Sequence, residues 1–199
     1  MLTIDRGCRG RMSLTMELDV LHTVTDQELL RLSQRNPGYQ FERTANGRLV
    51  VSPTGGDGGR RSGEVFGQLY AWSRHAGRGI VLDSSTGFRL PDGSLRSPDA
   101  SWVSAERWEA LAPTEREGFP PLCPDVVFEV RSRTDSPGEL DAKLRAYVAN
   151  GARLAILIDP ESHTVLLYRP DSEPERHHPA ASLSCGPELD DFVLDLAPV

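Results

Sequence analysis

The sequence predicts a mixed α/β domain whose sheet is antiparallel in part. Two runs, Val126-Val127-Phe128-Glu129-Val130 and Leu154-Ala155-Ile156-Leu157-Ile158, are almost continuously apolar, as strands buried on both faces are. A helical pattern closed by Asn150-Gly151 separates them. Well ahead of both, an Asn-Gly turn joins two short strand patterns into a hairpin. The order of helix, hairpin, helix, several strands, helix, strand, strand fits one α/β layer architecture.

Taken in order, residues 1–24 show no clear period and hold alternative starts at Met12 and Met16. They read as a flexible extension ahead of a single domain over 25–199. Thr25-Asp26-Gln27-Glu28 fits a capping box, Leu29, Leu30 and Leu32 follow, and Asn36-Pro37-Gly38 stops the helix. Residues 39–44 and 48–52 flank Ala45-Asn46-Gly47 as the hairpin. A helix is expected over 61–76, with Val65, Phe66, Leu69, Tyr70 and Trp72 on its apolar side. Before it, Gly55-Gly56-Asp57-Gly58-Gly59 lacks a P-loop lysine and reads as a flexible loop at the site mouth.

Strands are expected over 80–83, 87–90 and 97–103, with a Pro91-Asp92-Gly93 turn before the last. Ser104 caps a short helix through Leu111, and a charged, proline-rich loop runs to Pro124. Ser136 or Pro137 opens the helix that separates the two apolar runs. Asp159-Pro160 turns the chain into a strand over 164–169, residues 170–187 are polar and loop-like, and 192–196 form a last edge strand. The chain has no internal repeats.

At 199 residues the chain can bury a real core, and 38% hydrophobic with 26% charged residues describes an ordinary globular protein. A net charge of -7 argues against a wholly basic surface that coats nucleic acid, though not against a local basic groove. Cys8, Cys123 and Cys185 are odd in number and far apart, so neither a disulfide framework nor a zinc knuckle is implied. Neither a membrane-length apolar run nor the apolar core of a signal peptide occurs, and the expected location is cytoplasmic.

Chemistry is signalled by charges in the wrong places. Glu129 interrupts an apolar strand, where a carboxylate is costly without a cation or hydrogen-bond donors. Asp99, in Ser97-Pro98-Asp99-Ala100-Ser101-Trp102-Val103, sits similarly. If their strands are neighbours, about 4.8 Å apart, the two carboxylates can share one ion. Mg²⁺ or Mn²⁺ suits such oxygens, keeps several waters, and polarises a phosphate while lowering the pKa of a bound water. The only lysine among twenty-two basic residues is Lys143, on the helix after the Glu129 strand. A lysine amine can orient or deprotonate water, and arginine is a poor substitute for it. The competing reading is an exposed helix lysine paired with Glu139.

Asp99 followed by Glu129-x-Arg131 has the layout of the PD-(D/E)XK nuclease superfamily, with arginine at the usual lysine place. The resemblance narrows further. "SPTGG", "GRGIVLDSSTGFRLPDGSLRSPDASWV", "PPLCPDVVFEV" and "KLRAYVANGARLAILIDPESHTVLLYRP" resemble the Uma-type family of restriction endonucleases, over roughly residues 25–196. That resemblance implies a restriction-endonuclease-like mixed sheet flanked by helices, here with an N-terminal helix and hairpin, and metal-dependent phosphodiester hydrolysis. Asp99 and Glu129 match the metal-binding acids and Lys143 the helix lysine; Arg131 would steady the phosphate. The superfamily often adds an acid from an early element, for which Glu64 and Glu42 are both candidates.

Other polar features read as structural. Asp125, after Pro124, is a strand-start cap, and His177-His178 in a polar stretch lacks a third ligand. The expected partner is DNA, with a homodimer to cut both strands. The rival readings are a degenerate nuclease fold that binds nucleic acid or protein, and a small-molecule phosphodiesterase.

Overall fold

Val126–Val130 and Leu154–Asp159 are the central pair of a six-stranded sheet and run parallel to each other. Their near-continuous apolar character follows, because helices cover both faces. The computed structural model describes residues 15–18, 22–53 and 55–199. The elements are β1 (Met16–Leu18), α1 (Asp26–Arg35), β2 (Tyr39–Arg43), β3 (Leu49–Pro53), α2 (Gly56–Ala76), β4 (Ile80–Asp83), β5 (Phe88–Arg89), β6 (Leu95–Arg96) and β7 (Ala100–Val103). They continue as α3 (Ala105–Glu109), α4 (Pro113–Glu117), β8 (Val126–Val130), α5 (Pro137–Ala149), β9 (Leu154–Asp159), β10 (Thr164–Tyr168), β11 (Glu175–His177), β12 (Ser182–Ser184) and β13 (Val193–Asp195).

The six-stranded sheet has the order β11-β10-β9-β8-β7-β4, antiparallel except between β8 and β9. Strand alternation divides its side chains between two cores. On one face α2 packs Val65 and Leu69 on Ala100, Trp102, Val126 and Phe128. On the other, α5 packs Leu140, Leu144 and Tyr147 on Val103, Val127, Ala155 and Leu157. A second, antiparallel sheet, β1-β3-β2-β6-β5, shares a smaller core with α1, built from Val24, Leu29, Phe41, Leu49, Val51 and Leu95. The capping box of α1 is present: Glu28 N–H donates to the Thr25 hydroxyl oxygen, and Glu28 Oε2 accepts the Thr25 N–H at 2.8 Å.

Several elements differ from expectation for physical reasons. Within 1–24, Met16–Leu18 pairs with β3 and Val24 is buried, whereas Cys8 and Met12 lie outside the described residues. Helix α2 begins at Gly56, so the glycine run read as a loop is helical. Glycine costs about 1 kcal/mol per helical position against alanine, so local propensity pointed the other way. Adding a turn to a packed helix needs no new nucleus, and Ser62 Oγ, donating to Gly58 O at 3.0 Å, braces the added turn.

The strand expected over 97–103 begins only at Ala100. Ala100–Val103 joins the second sheet, while Leu95–Arg96, just before that range, forms β6, whose Leu95 pairs with Arg43 in the first. Pro98 has no N–H to continue a ladder, so Ser97-Pro98-Asp99 is where the chain changes sheets. The loop before Pro124 contains α4, with Pro113 in its first turn. The stretch over 170–187 contains β11, paired with β10, and β12, which pairs with β13 in a separate two-stranded sheet. Cys123 and Cys185 are buried free thiols. Among the described residues, no helix is long and apolar enough to cross a membrane.

Candidate active site

The change of sheets sets the geometry. Strands β7 and β8 pair with Ala100 opposite Phe128 and Trp102 opposite Val126. The same register carried one residue further sets Asp99 opposite Glu129, so both side chains share the α5 face. Asp99 Oδ2 accepts the Val130 N–H at 2.7 Å, tying this carboxylate to the end of β8.

Helix α5 brings the lysine. Its buried residues Leu140, Leu144 and Tyr147 define the sheet-facing side, and Lys143 lies on that flank, one turn before Tyr147. Lys143 Nζ is 2.7 Å from Glu129 Oε1 and 3.1 Å from Glu42 Oε1. The Tyr147 hydroxyl donates to the same Glu129 oxygen at 2.9 Å. Glu42 arrives from β2. Its Oε1 accepts the Ser97 N–H at 2.8 Å, and its Oε2 lies 3.1 Å from Arg96 Nη1. Glu42 and Glu129 are each 6% exposed, so their charges depend on these partners rather than on water.

The same partners set the proton affinities. Burial pushes Glu129 upward against the Lys143 ammonium, and the charges of Asp99 and Glu42 add to the rise. Burial acts on Glu42 too, but Lys143 and Arg96 outweigh it and hold this carboxyl below its usual range. Asp99 has the Val130 N–H and no ion pair among the described residues, and burial pushes it up to about 6. Burial alone would lower Lys143; Glu129 and Glu42 outweigh it and raise its affinity for the proton. The amine in this arrangement is therefore an ammonium, suited to orienting water and stabilising charge rather than to taking a proton.

The donors fit a magnesium-like ion. Asp99 makes no ion pair among the described residues, Glu129 Oε2 carries neither the Lys143 nor the Tyr147 bond, and both are hard oxygen ligands. No group of three or more His, Cys, Asp and Glu side chains is placed to hold a metal among the described residues, so an all-protein zinc cage is not formed. Two carboxylates with water and substrate completing the shell is a donor set that Mg²⁺ or Mn²⁺ accepts.

The remaining candidates fall elsewhere. Glu64 is exposed on α2, the helix covering the opposite face, so Glu42 rather than Glu64 joins the cluster. Arg131 turns to β9, where its Nη1 is 2.6 Å from Asp159 Oδ2. Asp125 is structural: Oδ2 accepts the Ser104 N–H at 2.9 Å and Oδ1 pairs with Arg107 at 2.9 Å. His177 lies on β11 beside Glu175, and His178 meets the Thr164 hydroxyl. Tyr147 and Arg96 are members of the cluster that the motif left out. The available signal for Tyr147 was its place four residues after Lys143, since a buried phenol needs a hydrogen-bond partner.

Residues 26–197 match the model of a family described as "Uma2: Putative restriction endonuclease". The fold is similar to a crystal structure described as a putative nuclease belonging to DUF820 from Anabaena variabilis ATCC 29413. The TM-score is 0.68 at 20% identity, over 87% of this chain and 95% of that one. No curated protein matches the chain.

Proposed function

This chain belongs to the Uma2 family, and from that premise we propose that it is a metal-dependent nuclease hydrolysing DNA phosphodiester bonds with water as nucleophile. The observation that carries the reading is the tie of Asp99 to the end of β8 through the Val130 N–H at 2.7 Å, next to Glu129, with Lys143 Nζ 2.7 Å from Glu129. Asp99 and Glu129 would hold Mg²⁺ or Mn²⁺, which supplies a polarised phosphate and a more acidic water when bound. Lys143 orients the attacking water and offsets negative charge as the phosphorus gains a fifth oxygen. Burial makes a charge on Asp99 or Glu129 costly, a cost that a bound cation would offset. Arg131 is committed to Asp159 and takes no step in this scheme. A homodimer would offer two such sites to a duplex.

The test is cleavage of single- and double-stranded DNA with and without Mg²⁺ or Mn²⁺, beside Asp99→Ala and Glu129→Ala. Calorimetry should show metal affinity lost in both variants while circular dichroism shows the fold kept. Unchanged affinity in either variant would assign the ion to other ligands. DNA binding without cleavage under every metal condition would favour a degenerate nuclease fold. Hydrolysis of nucleotides without polymer binding would favour a small-molecule phosphodiesterase.

A further inference from the structure

We propose that Glu42 is a positioning residue that holds Lys143 in place over Glu129, and that it is not a metal ligand. The inference rests on the reading of Lys143 as the group that orients water. Three donors already engage Glu42: the Ser97 N–H and Lys143 at Oε1, and Arg96 at Oε2. Metal ligation by Glu42 would have to displace one of these, whereas Asp99 makes one hydrogen bond among the described residues, through Oδ2. Lysine carries its charge on a flexible four-carbon stem, and two carboxylates at 3.1 and 2.7 Å fix it more narrowly than one. Once Glu129 is engaged by a cation its pull on the ammonium weakens, and Glu42 remains as the anchor.

The fold explains how an acid from the N-terminal sheet reaches this position. Arg43 pairs with Leu95, which sets Glu42 beside Arg96 and Ser97, the residues leading directly to Pro98 and Asp99. The first sheet is thereby part of the site. Arg96 in turn balances Glu42, with side chains only 14% and 8% exposed, so the carboxylate is itself held in one orientation.

The chain's single lysine makes the test specific, because lysine labelled with carbon-13 at Cε gives one NMR signal. In Glu42→Gln, Mn²⁺ binding by calorimetry should survive with affinity lowered by less than about 100-fold, the reach of a residue that only orients the site, while the lysine signal moves toward that of an exposed side chain and sharpens. Loss of Mn²⁺ affinity of about 100-fold or more, beyond what orienting partners typically cost, would make Glu42 a ligand and overturn the proposal. An unmoved lysine signal would overturn it too, leaving Glu42 a structural residue. Glu42→Gln strands the Arg96 charge and can impair folding, so Glu42→Gln/Arg96→Met is measured beside it. The same two outcomes decide in that protein. Absence of DNA cleavage by the unaltered protein would remove the nuclease reading separately, since the lysine signal reports the Glu42 hold without turnover.

Discussion

Tyr147 donates its buried hydroxyl to Oε1 of Glu129 at 2.9 Å. That bond fixes which oxygen of Glu129 faces the helix and leaves Oε2 for other work. Partners that orient a metal ligand in this way typically influence affinity about 10–100-fold. Tyr147→Phe keeps the ring and removes only the donor. Mn²⁺ affinity should fall about tenfold, and stability in urea by about 1–3 kcal/mol, because Glu129 loses a partner while buried. Unchanged affinity by calorimetry would make the hydroxyl a packing feature only.

Asp99 should leave a pH signature on stability. Its folded carboxyl is pushed up to about 6 from 3.8, so the folded metal-free protein holds this proton more tightly than the unfolded chain. Below pH 3.8 both states are protonated and the group contributes nothing; as pH rises past about 6 the ionised acid costs the folded state about 3 kcal/mol. In chelator, Asp99→Asn should therefore be more stable than the parent at pH 7 and match it at pH 4. The asparagine oxygen can still accept the Val130 N–H. Adding Mg²⁺ at pH 7 should stabilise the parent and not the variant. Urea unfolding at the two pH values checks this, and equal stability at pH 7 in chelator would contradict it.

The parts of this site legible in the sequence were those whose chemistry clashed with their surroundings. Glu129 in an apolar strand, Asp99 after Pro98, and a lone lysine each stand out locally, and the structure brings all three to the α5 face. Glu42 could not be separated from Glu64, because only the distant pairing of Arg43 with Leu95 brings the hairpin to the site. Arg131 follows Glu129 by two residues and so shares its face of the strand, but its partner, Asp159, lies 28 residues on. The start of α2 is masked in the sequence by the glycines at 55, 56, 58, 59 and 63, over which packing extends the helix. The break between Leu95–Arg96 and Ala100–Val103 is signalled by Pro98, yet which sheet each strand joins is a matter of tertiary pairing.

Gly79 locks the strand that flanks the site. Its φ is +77°, and a Cβ there would lie 2.4 Å from Val103 O and 2.7 Å from Trp102 Nε1. Those atoms belong to β7, with which β4 pairs from Ile80 onward. Backbone cannot yield as a flexible side chain can, so Gly79→Ala should lose at least about 2 kcal/mol of stability in urea. A loss under about 0.5 kcal/mol, the level of an ordinary surface change, would show that β4 can shift freely.

The last prediction concerns whether Lys143 can be replaced. Its ammonium sits between two carboxylates with the side chain 17% exposed, in a space that fits a point charge. Arginine keeps the charge but spreads it over a planar fork that needs more room and different partner geometry. Lys143→Ala and Lys143→Arg should both lower kcat by about 100-fold or more, with Mn²⁺ still bound because Asp99 and Glu129 remain. Arg131→Lys restores a lysine two residues after Glu129, but position 131 turns to Asp159, so it should not rescue Lys143→Ala. Single-turnover cleavage of a labelled duplex measures all four proteins. Normal turnover in Lys143→Arg would make the residue a generic charge, and rescue by Arg131→Lys would move the water-orienting role to the end of β8.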